Sequence, residues 1–444
     1  MKKIFSCIQL FVLFGALVVS AIGQNRNDYD LLLKGGHVVD GKNNISAIRD
    51  VAIKDGKIAA VAENIAPSRA YKTVDVSGLY VTPGLVDIHF HCYGGLPGEE
   101  SSMFSAVPDL LTFKLGVTTV AEAGTSGWRN FPDFKQRVID RSKTRILVFL
   151  NIVGNGGGNS KQEQNLDDMD AKATADLALR YKDIIIGIKT RDYTGPEWTP
   201  FDRAREAATL ANIVWMCDFG VLRPERPIKV LMESKLRPGD IYTHTYAGLR
   251  GEMDDANQPI QALWEARKRG VWFDVGPGGG SFLFRSAVNF LKAGFVPDSI
   301  SSDRDAGGWS VGQINTDLLN AMSRFLNMGM SLDSVINCVT WNPAREIKRP
   351  DLGNLSVGSP ADVAVLHVEK GNFGFVDMYG ARLKGTQRVA CDLTVRDGKV
   401  VFDLNGITRE DWDKLGNYRT RLGDRVWDGI YPAGRGSTGT GKGK

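Results

Sequence analysis

Histidine and cysteine are both scarce, with five of each among 444 residues. Beyond Cys7, the cysteines Cys92, Cys217, Cys338 and Cys391 stand far apart and form no CxxC pair. That pattern argues against a disulfide scaffold and against a cysteine-rich zinc site. No block dense in lysine and arginine with interleaved aromatics occurs, so nucleic acid is not an expected partner. The formal net charge is only +4, and Lys2 and Lys3 supply two of those charges. Nor is there an internal repeat or a P-loop. A hydrophobic content of 43% beside 24% charged residues describes a soluble globular chain. Its length exceeds one ordinary core and implies a large domain with a smaller companion.

The one long apolar run is at the start. Residues 1–23 read as a secretory signal peptide: basic Lys2-Lys3, an apolar stretch, then Ala21-Ile22-Gly23 before Gln24. The competing reading is an uncleaved anchor, because the stretch is nearly long enough to span a bilayer. Cleavage after Gly23 would leave an exported protein, periplasmic or secreted, with no stable membrane partner. The tail from Gly434, rich in Gly, Ser, Thr and Lys, is expected to be disordered.

What is present centres on Thr82-Pro83-Gly84-Leu85-Val86-Asp87-Ile88-His89-Phe90-His91. In an extended strand, residues two apart face the same way. His89 and His91 therefore project together and form half of a site for a divalent metal such as zinc. Before this stretch, residues 24–81 are short β-rich runs with Asp-Gly turns, and residues 346–405 look alike. Asp55-Gly56-Lys57 and Asp397-Gly398-Lys399 read as matching turns of one small β-sandwich domain built from both chain ends. His37 and His367 lie in these runs and are expected to be structural. Residues 406–444 form a C-terminal extension.

Between the two, residues 82–345 alternate apolar runs with helix-like stretches such as Ala171–Tyr181, Asp202–Leu210 and Pro259–Arg269. The apolar runs fall at Leu85–His91, Val117–Ala123, Ile146–Ile152, Ile184–Lys189, Ile213–Asp218, Ile241–His244, Val271–Val275 and Ser299–Asp303. Eight such runs fit an α/β fold of the (β/α)8 barrel type, whose active groups sit at the C-terminal ends of its strands. His89, His91, Lys189, His244 and Asp303 all end runs.

These residues resemble the amidohydrolase superfamily. Pro83 to His91 is similar to its first-strand signature, and Thr340-Trp341-Asn342-Pro343-Ala344-Arg345 and Leu352 to Asp362 resemble the return to its small β-domain. Within it, Gly116-Val117-Thr118-Thr119-Val120 and Arg237 to His244 are similar to the dihydroorotase-like amidohydrolase/deacetylase enzymes. The resemblance implies two zinc ions. His89, His91 and Asp303 would hold the more buried ion, Lys189 carboxylated on its amine would bridge, and His244 would hold the second. Asp303 would also move the catalytic proton. Two departures stand out. Asp218 occupies the fifth-strand position where relatives carry a histidine, and a carboxylate there can still ligate zinc. Pro277 stands where close relatives have another histidine.

Softer candidates are Arg191, placed to pair with a substrate carboxylate, and Tyr93 and Trp309, which could line the pocket. The reading is a hydrolase of an amide or ester bond in a small acylated amino acid or hydroxy acid. Cyclic-amide hydrolysis of the dihydroorotase or hydantoinase type, and a barrel that binds without catalysis, are the alternatives. The partner is a small-molecule substrate, and a homo-oligomer is left open.

Overall fold

The structure, a computed structural model, describes residues 27–98, 106–157, 161–305 and 317–414. The leader at 1–23, Trp309 and the tail from Gly434 lie outside these residues.

Five strands open the chain: β1 (Tyr29–Asp40), β2 (Ile45–Lys54), β3 (Lys57–Ala62), β4 (Ala70–Asp75) and β5 (Tyr80–Pro83). Seven parallel strands follow: β6 (Leu85–Phe90), β7 (Val117–Gly127), β8 (Arg145–Asn151), β9 (Ile185–Thr190), β10 (Val214–Cys217), β11 (Ile241–Tyr242) and β12 (Trp272–Phe273). Near the C-terminus come β13 (Val363–Val376), β14 (Arg382–Arg396) and β15 (Lys399–Asp403).

Both chain ends meet in one eight-stranded sheet, ordered β15-β14-β13-β5-β1-β2-β3 with β4 on β1. The joint is the antiparallel pairing of β13 with β5, where Val365 faces Val81. The two Asp-Gly turns do match. Asp55 and Gly56 have φ of 49° and 74°, and Asp397 and Gly398 have 48° and 73°. Positive φ at both central residues suits the twist of a tight hairpin, which is why aspartate and glycine stand there. The turns also abut, since a Cβ on Gly56 would lie 3.2 Å from the Asp397 carbonyl oxygen. The pairings define one continuous sheet and do not by themselves define the two layers of the expected sandwich. Its own apolar core includes Leu33, Val51, Ile53, Val81, Val363, Val365 and Leu393.

The parallel sheet curls until its edges meet. After β12, Asp274 bridges to Ser299, and Arg304 bridges to Phe90 in β6. His91 N donates to the Arg304 carbonyl at 2.8 Å. The expected run 299–303 therefore closes the barrel, as isolated bridges and not as a full strand. Side chains replace part of its ladder: Ser302 N and Oγ donate to Asp87, and Ser301 Oγ donates to Asp274 Oδ2 at 2.7 Å.

Helices on the outside bury one stripe each. In Ala171–Arg180 the buried residues are Ala171, Thr174, Ala175, Leu177 and Ala178, and Asp170 caps the start by accepting from Ala173 N. In Thr199–Leu210 they are Pro200, Phe201, Ala204, Ala207 and Ala208. Small residues at these positions bring the helices close to the strands. Val86, Ile88, Ala121, Leu147, Phe149, Ile186, Val214, Met216 and Ile241 gather from β6 to β11 into one cluster, backed by Ala344, Ile347 and Leu352. The strand ends lie above this packed interior.

Candidate active site

Six histidine, lysine and aspartate side chains from five strand ends converge, as the barrel expectation required. His89, His91 and Asp303 place ligand atoms within 4.8 Å of one another. Asp303 Oδ1 lies 3.2 Å from His89 Nε2 and 3.0 Å from His91 Nε2. Lys189 Nζ is 3.1 Å from His89 Nε2, under Met216 Sδ at 3.4 Å. The His244 ring packs on His89 with centroids 5.0 Å apart. Its Nε2 faces Asp218 Oδ2 at 3.6 Å. All six are buried except Asp303, whose side chain keeps 19% exposure.

Backbone strain and glycines hold this arrangement. His244 and Asp303 have φ of 64° and 50°, in the left-handed region that non-glycine residues seldom adopt. Gly276, at φ of 45°, lies against three site atoms: a Cβ there would be 2.7 Å from Thr243 Oγ1, 2.9 Å from His89 Nδ1 and 3.1 Å from His244 Nδ1. Gly278 would likewise collide with Asp303, and Gly124 with the Lys189 stem.

The hydrogen bonds fix which nitrogen of each ring faces inward. Thr243 Oγ1 gives its proton to Asp274 Oδ2 at 2.7 Å, so it accepts from His89 Nδ1 at 3.0 Å. The His89 Nε2 lone pair is left facing Asp303 and Lys189. His244 Nδ1 donates to the Gly276 carbonyl at 2.6 Å, which turns its Nε2 toward Asp218. Imidazole nitrogens and carboxylate oxygens thus converge inside one pocket, a donor set that a divalent cation can bind. The donor set of imidazoles and carboxylates suits zinc.

The charges agree. Burial drives the Lys189 amine down from its ordinary pKa, although Asp218 and Asp303 pull the other way. Burial also lowers His89 strongly, and the Lys189 charge adds to that. Burial would raise Asp218 and Asp303, but their neighbours prevail. His244 and Arg250 hold Asp218 well below the usual carboxylate range, and the His91 hydrogen bond holds Asp303 down. Both therefore present anionic oxygen.

Arg191 is at the site's edge, paired with Asp192 at 2.9 Å and Glu163 at 3.4 Å. Tyr93 is a correction to the sequence reading. Its ring packs on Phe134 and its hydroxyl donates to Asp133 at 2.9 Å, so it braces the Phe131–Arg137 helix and is not brought to the cluster. Cys217 packs in the apolar core behind β10, as expected from its alternation with Asp218. Pro277 sits between Gly276 and Gly278 and contributes its carbonyl, which accepts from Ser281 N.

The sequence reading passed over several buried acids. Glu122 Oε1 stands 3.6 Å from His91 Nδ1, Asp274 backs Thr243 behind His89, and Glu163 bonds Asn151 beside Arg191. Their signal was available for two of them: Glu122 and Asp274 are carboxylates set inside apolar strand runs, where a charge is costly unless it has a partner.

Comparison with known proteins bears on this geometry. Residues 285–401 match the Amidohydrolase family. A deacetylase of Brucella anthropi is 31% identical over 353 residues, covering 77% of this chain and 85% of its own. The chain belongs to the amidohydrolase superfamily. A deacetylase of Enterococcus faecalis is 29% identical over 90% of this chain and its own full length. Among solved structures, an adenine deaminase superposes with a TM-score of 0.77 at 28% identity, over 85% of this chain and 100% of that one. A dihydroorotase does so with 0.73 at 27% identity, over 84% and 99%. This amidohydrolase is accordingly a hydrolase acting on carbon–nitrogen bonds other than peptide bonds.

Proposed function

We propose that this amidohydrolase is an exported two-zinc enzyme that removes the acyl group from a small acylated amino acid or hydroxy acid, an amide or ester cleavage. The observation that carries the reading is the convergence of buried His89, His91 and Lys189 with Asp303 at one barrel mouth, with His244 and Asp218 beside it. The deacetylase relatives, matched over most of their length, favour an acyl substrate over the cyclic amides of the dihydroorotase neighbour.

His89, His91 and Asp303 would hold one zinc, and His244 with Asp218 the other. Lys189 would bridge them as a carbamate: its neutral amine adds to carbon dioxide and releases one proton. When bound, the ions supply Lewis-acid activation of water and of the substrate carbonyl. Asp303 is placed to accept the proton of the attacking water and to return it to the leaving nitrogen or oxygen. Thr243 and Asp274 keep the His89 ring oriented, and Gly276 does the same for His244. Arg191 would pair with the substrate carboxylate.

The test loads the mature protein with zinc and bicarbonate. N-acyl amino acids, hydroxy-acid esters, dihydroorotate and hydantoins are then assayed side by side. Hydrolysis of the first two with about two zinc equivalents supports the reading. A preference for the cyclic amides would replace it, and a zinc-loaded protein inert toward all four would end it. Lys189→Ala should lose zinc as well as activity.

A further inference from the structure

Asp218 is where this chain departs from a histidine, and replacing a neutral imidazole with a carboxylate brings a negative charge into the site. An arginine lies against it. Arg250 Nη2 stands 3.5 Å from Asp218 Oδ1, and both side chains are at least nine-tenths buried. They also hold Gly220 by its two backbone groups. Arg250 Nε donates to the Gly220 carbonyl at 2.8 Å, and Gly220 N donates to Asp218 Oδ1 at 2.8 Å. Gly220 has φ of 65° and a Cβ on it would run into the Tyr193 carbonyl, so only glycine offers its peptide this way.

The arginine is itself held from behind. Its backbone N donates to Glu252 Oε2 at 2.7 Å, and Glu252 Oε1 accepts from the Tyr242 hydroxyl at 2.9 Å. Tyr242 precedes His244 by two residues, so the contacts form a ring that leaves β11 and returns to it through Asp218. The ring uses Asp218 Oδ1 and leaves Oδ2 directed at His244 Nε2, with the Asp192 backbone N at 3.3 Å its one hydrogen-bond donor among the described residues. Arg250 Nη1 is buried and has no hydrogen-bond partner among the described residues, so the guanidinium is committed to the Gly220 carbonyl through Nε and faces Asp218 with Nη2.

We infer that Arg250 is a positioning residue paired specifically with Asp218: it balances the carboxylate's charge and turns Oδ2 toward His244, so that the two hold the second metal ion. This rests on the two-zinc reading above. An outer partner that orients a ligand typically changes metal affinity by 10- to 100-fold. A histidine at 218 would bring no charge to balance, and Arg250 would then repel the ion.

The experiment is a four-protein comparison of zinc binding, measured by equilibrium dialysis and elemental analysis with folding followed by circular dichroism. The parent, Arg250→Met, Asp218→His and the double variant are compared, with Arg250→Lys as the charge-retaining control. The expected result is a parent with two sites and a second-site affinity weakened about tenfold or more in each single variant. The double variant regains most of it, and Arg250→Lys falls between. Losses that simply add in the double variant, or an Arg250→Met protein with parental affinity, overturn the pairing while leaving the two-zinc reading standing. A parent that binds one ion overturns both. If Arg250→Met does not fold, recovery of folding and of two zincs in the double variant still decides the matter.

Discussion

Gly276→Ala asks whether the site's geometry depends on a missing side chain. The added methyl would sit 2.7 Å from Thr243 Oγ1, 2.9 Å from His89 Nδ1 and 3.1 Å from His244 Nδ1. Real Cβ atoms essentially never come as close as the first two distances, so Thr243, the His89 ring or the Gly276 backbone must move. That backbone also carries the carbonyl that orients His244 at 2.6 Å. The left-handed φ of 45° adds about 1–2 kcal/mol for alanine. Overpacking adds about 1–3 kcal/mol. The expected loss in stability is therefore about 2–5 kcal/mol by urea unfolding, large for one methyl group. Zinc affinity should fall about 10- to 100-fold, as when a ligand's supporting partner is lost. Gly280→Ala is the control, since a Cβ there meets nothing within 4 Å and its φ is not in the left-handed range. If Gly276→Ala matches Gly280→Ala in both zinc affinity and unfolding, the argument that this glycine sets the imidazole positions is wrong.

Asp303→Asn should lower kcat about 100- to 10,000-fold on an N-acyl amino acid, because the amide cannot accept the water's proton; a drop below tenfold would assign that proton elsewhere. Glu163 is raised by burial to about 8 despite nearby Arg191. Its folded form thus keeps a proton that the unfolded chain loses above about 4.5. The stabilisation is full below the unfolded value and is lost as pH rises toward 8, so Glu163→Gln should flatten the fall in stability between about 4.5 and 8. Parallel curves for the two proteins would contradict that. Tyr93→Phe removes a hydrogen bond to Asp133, which Arg137 still engages at 2.8 Å. It should cost about 1 kcal/mol of stability and leave KM unchanged; a large rise in KM would return Tyr93 to the pocket.

Much of the architecture was legible in the residues because it is governed by local chemistry. Asp-Gly turns need left-handed φ, apolar runs of strand length need burial, and helices such as Ala171–Arg180 mark their buried stripe by spacing. The ligand candidates were legible for a related reason. A barrel puts its strand ends at one mouth, so His89, His91, Lys189, His244 and Asp303 could be grouped from their places in the runs alone. Tyr93 shows the limit of that logic, since being close to a strand end does not say which way a side chain turns. The closing run 299–303 shows another: its serines trade ladder bonds for the carboxylates of Asp87 and Asp274, partners 215 and 27 residues away along the chain.

The amino-acid order by itself determined which groups could bind metal, where the strands end, and that Asp218 breaks the expected pattern. Only the tertiary structure decided how that break is accommodated. Arg250 lies 32 positions beyond Asp218, and Glu122 is likewise 31 beyond His91, so no local period connects them. Their encounters depend on how neighbouring strands and loops fold back together. Charge balance in a buried site is set by distances through space, and those exist only once the barrel has closed.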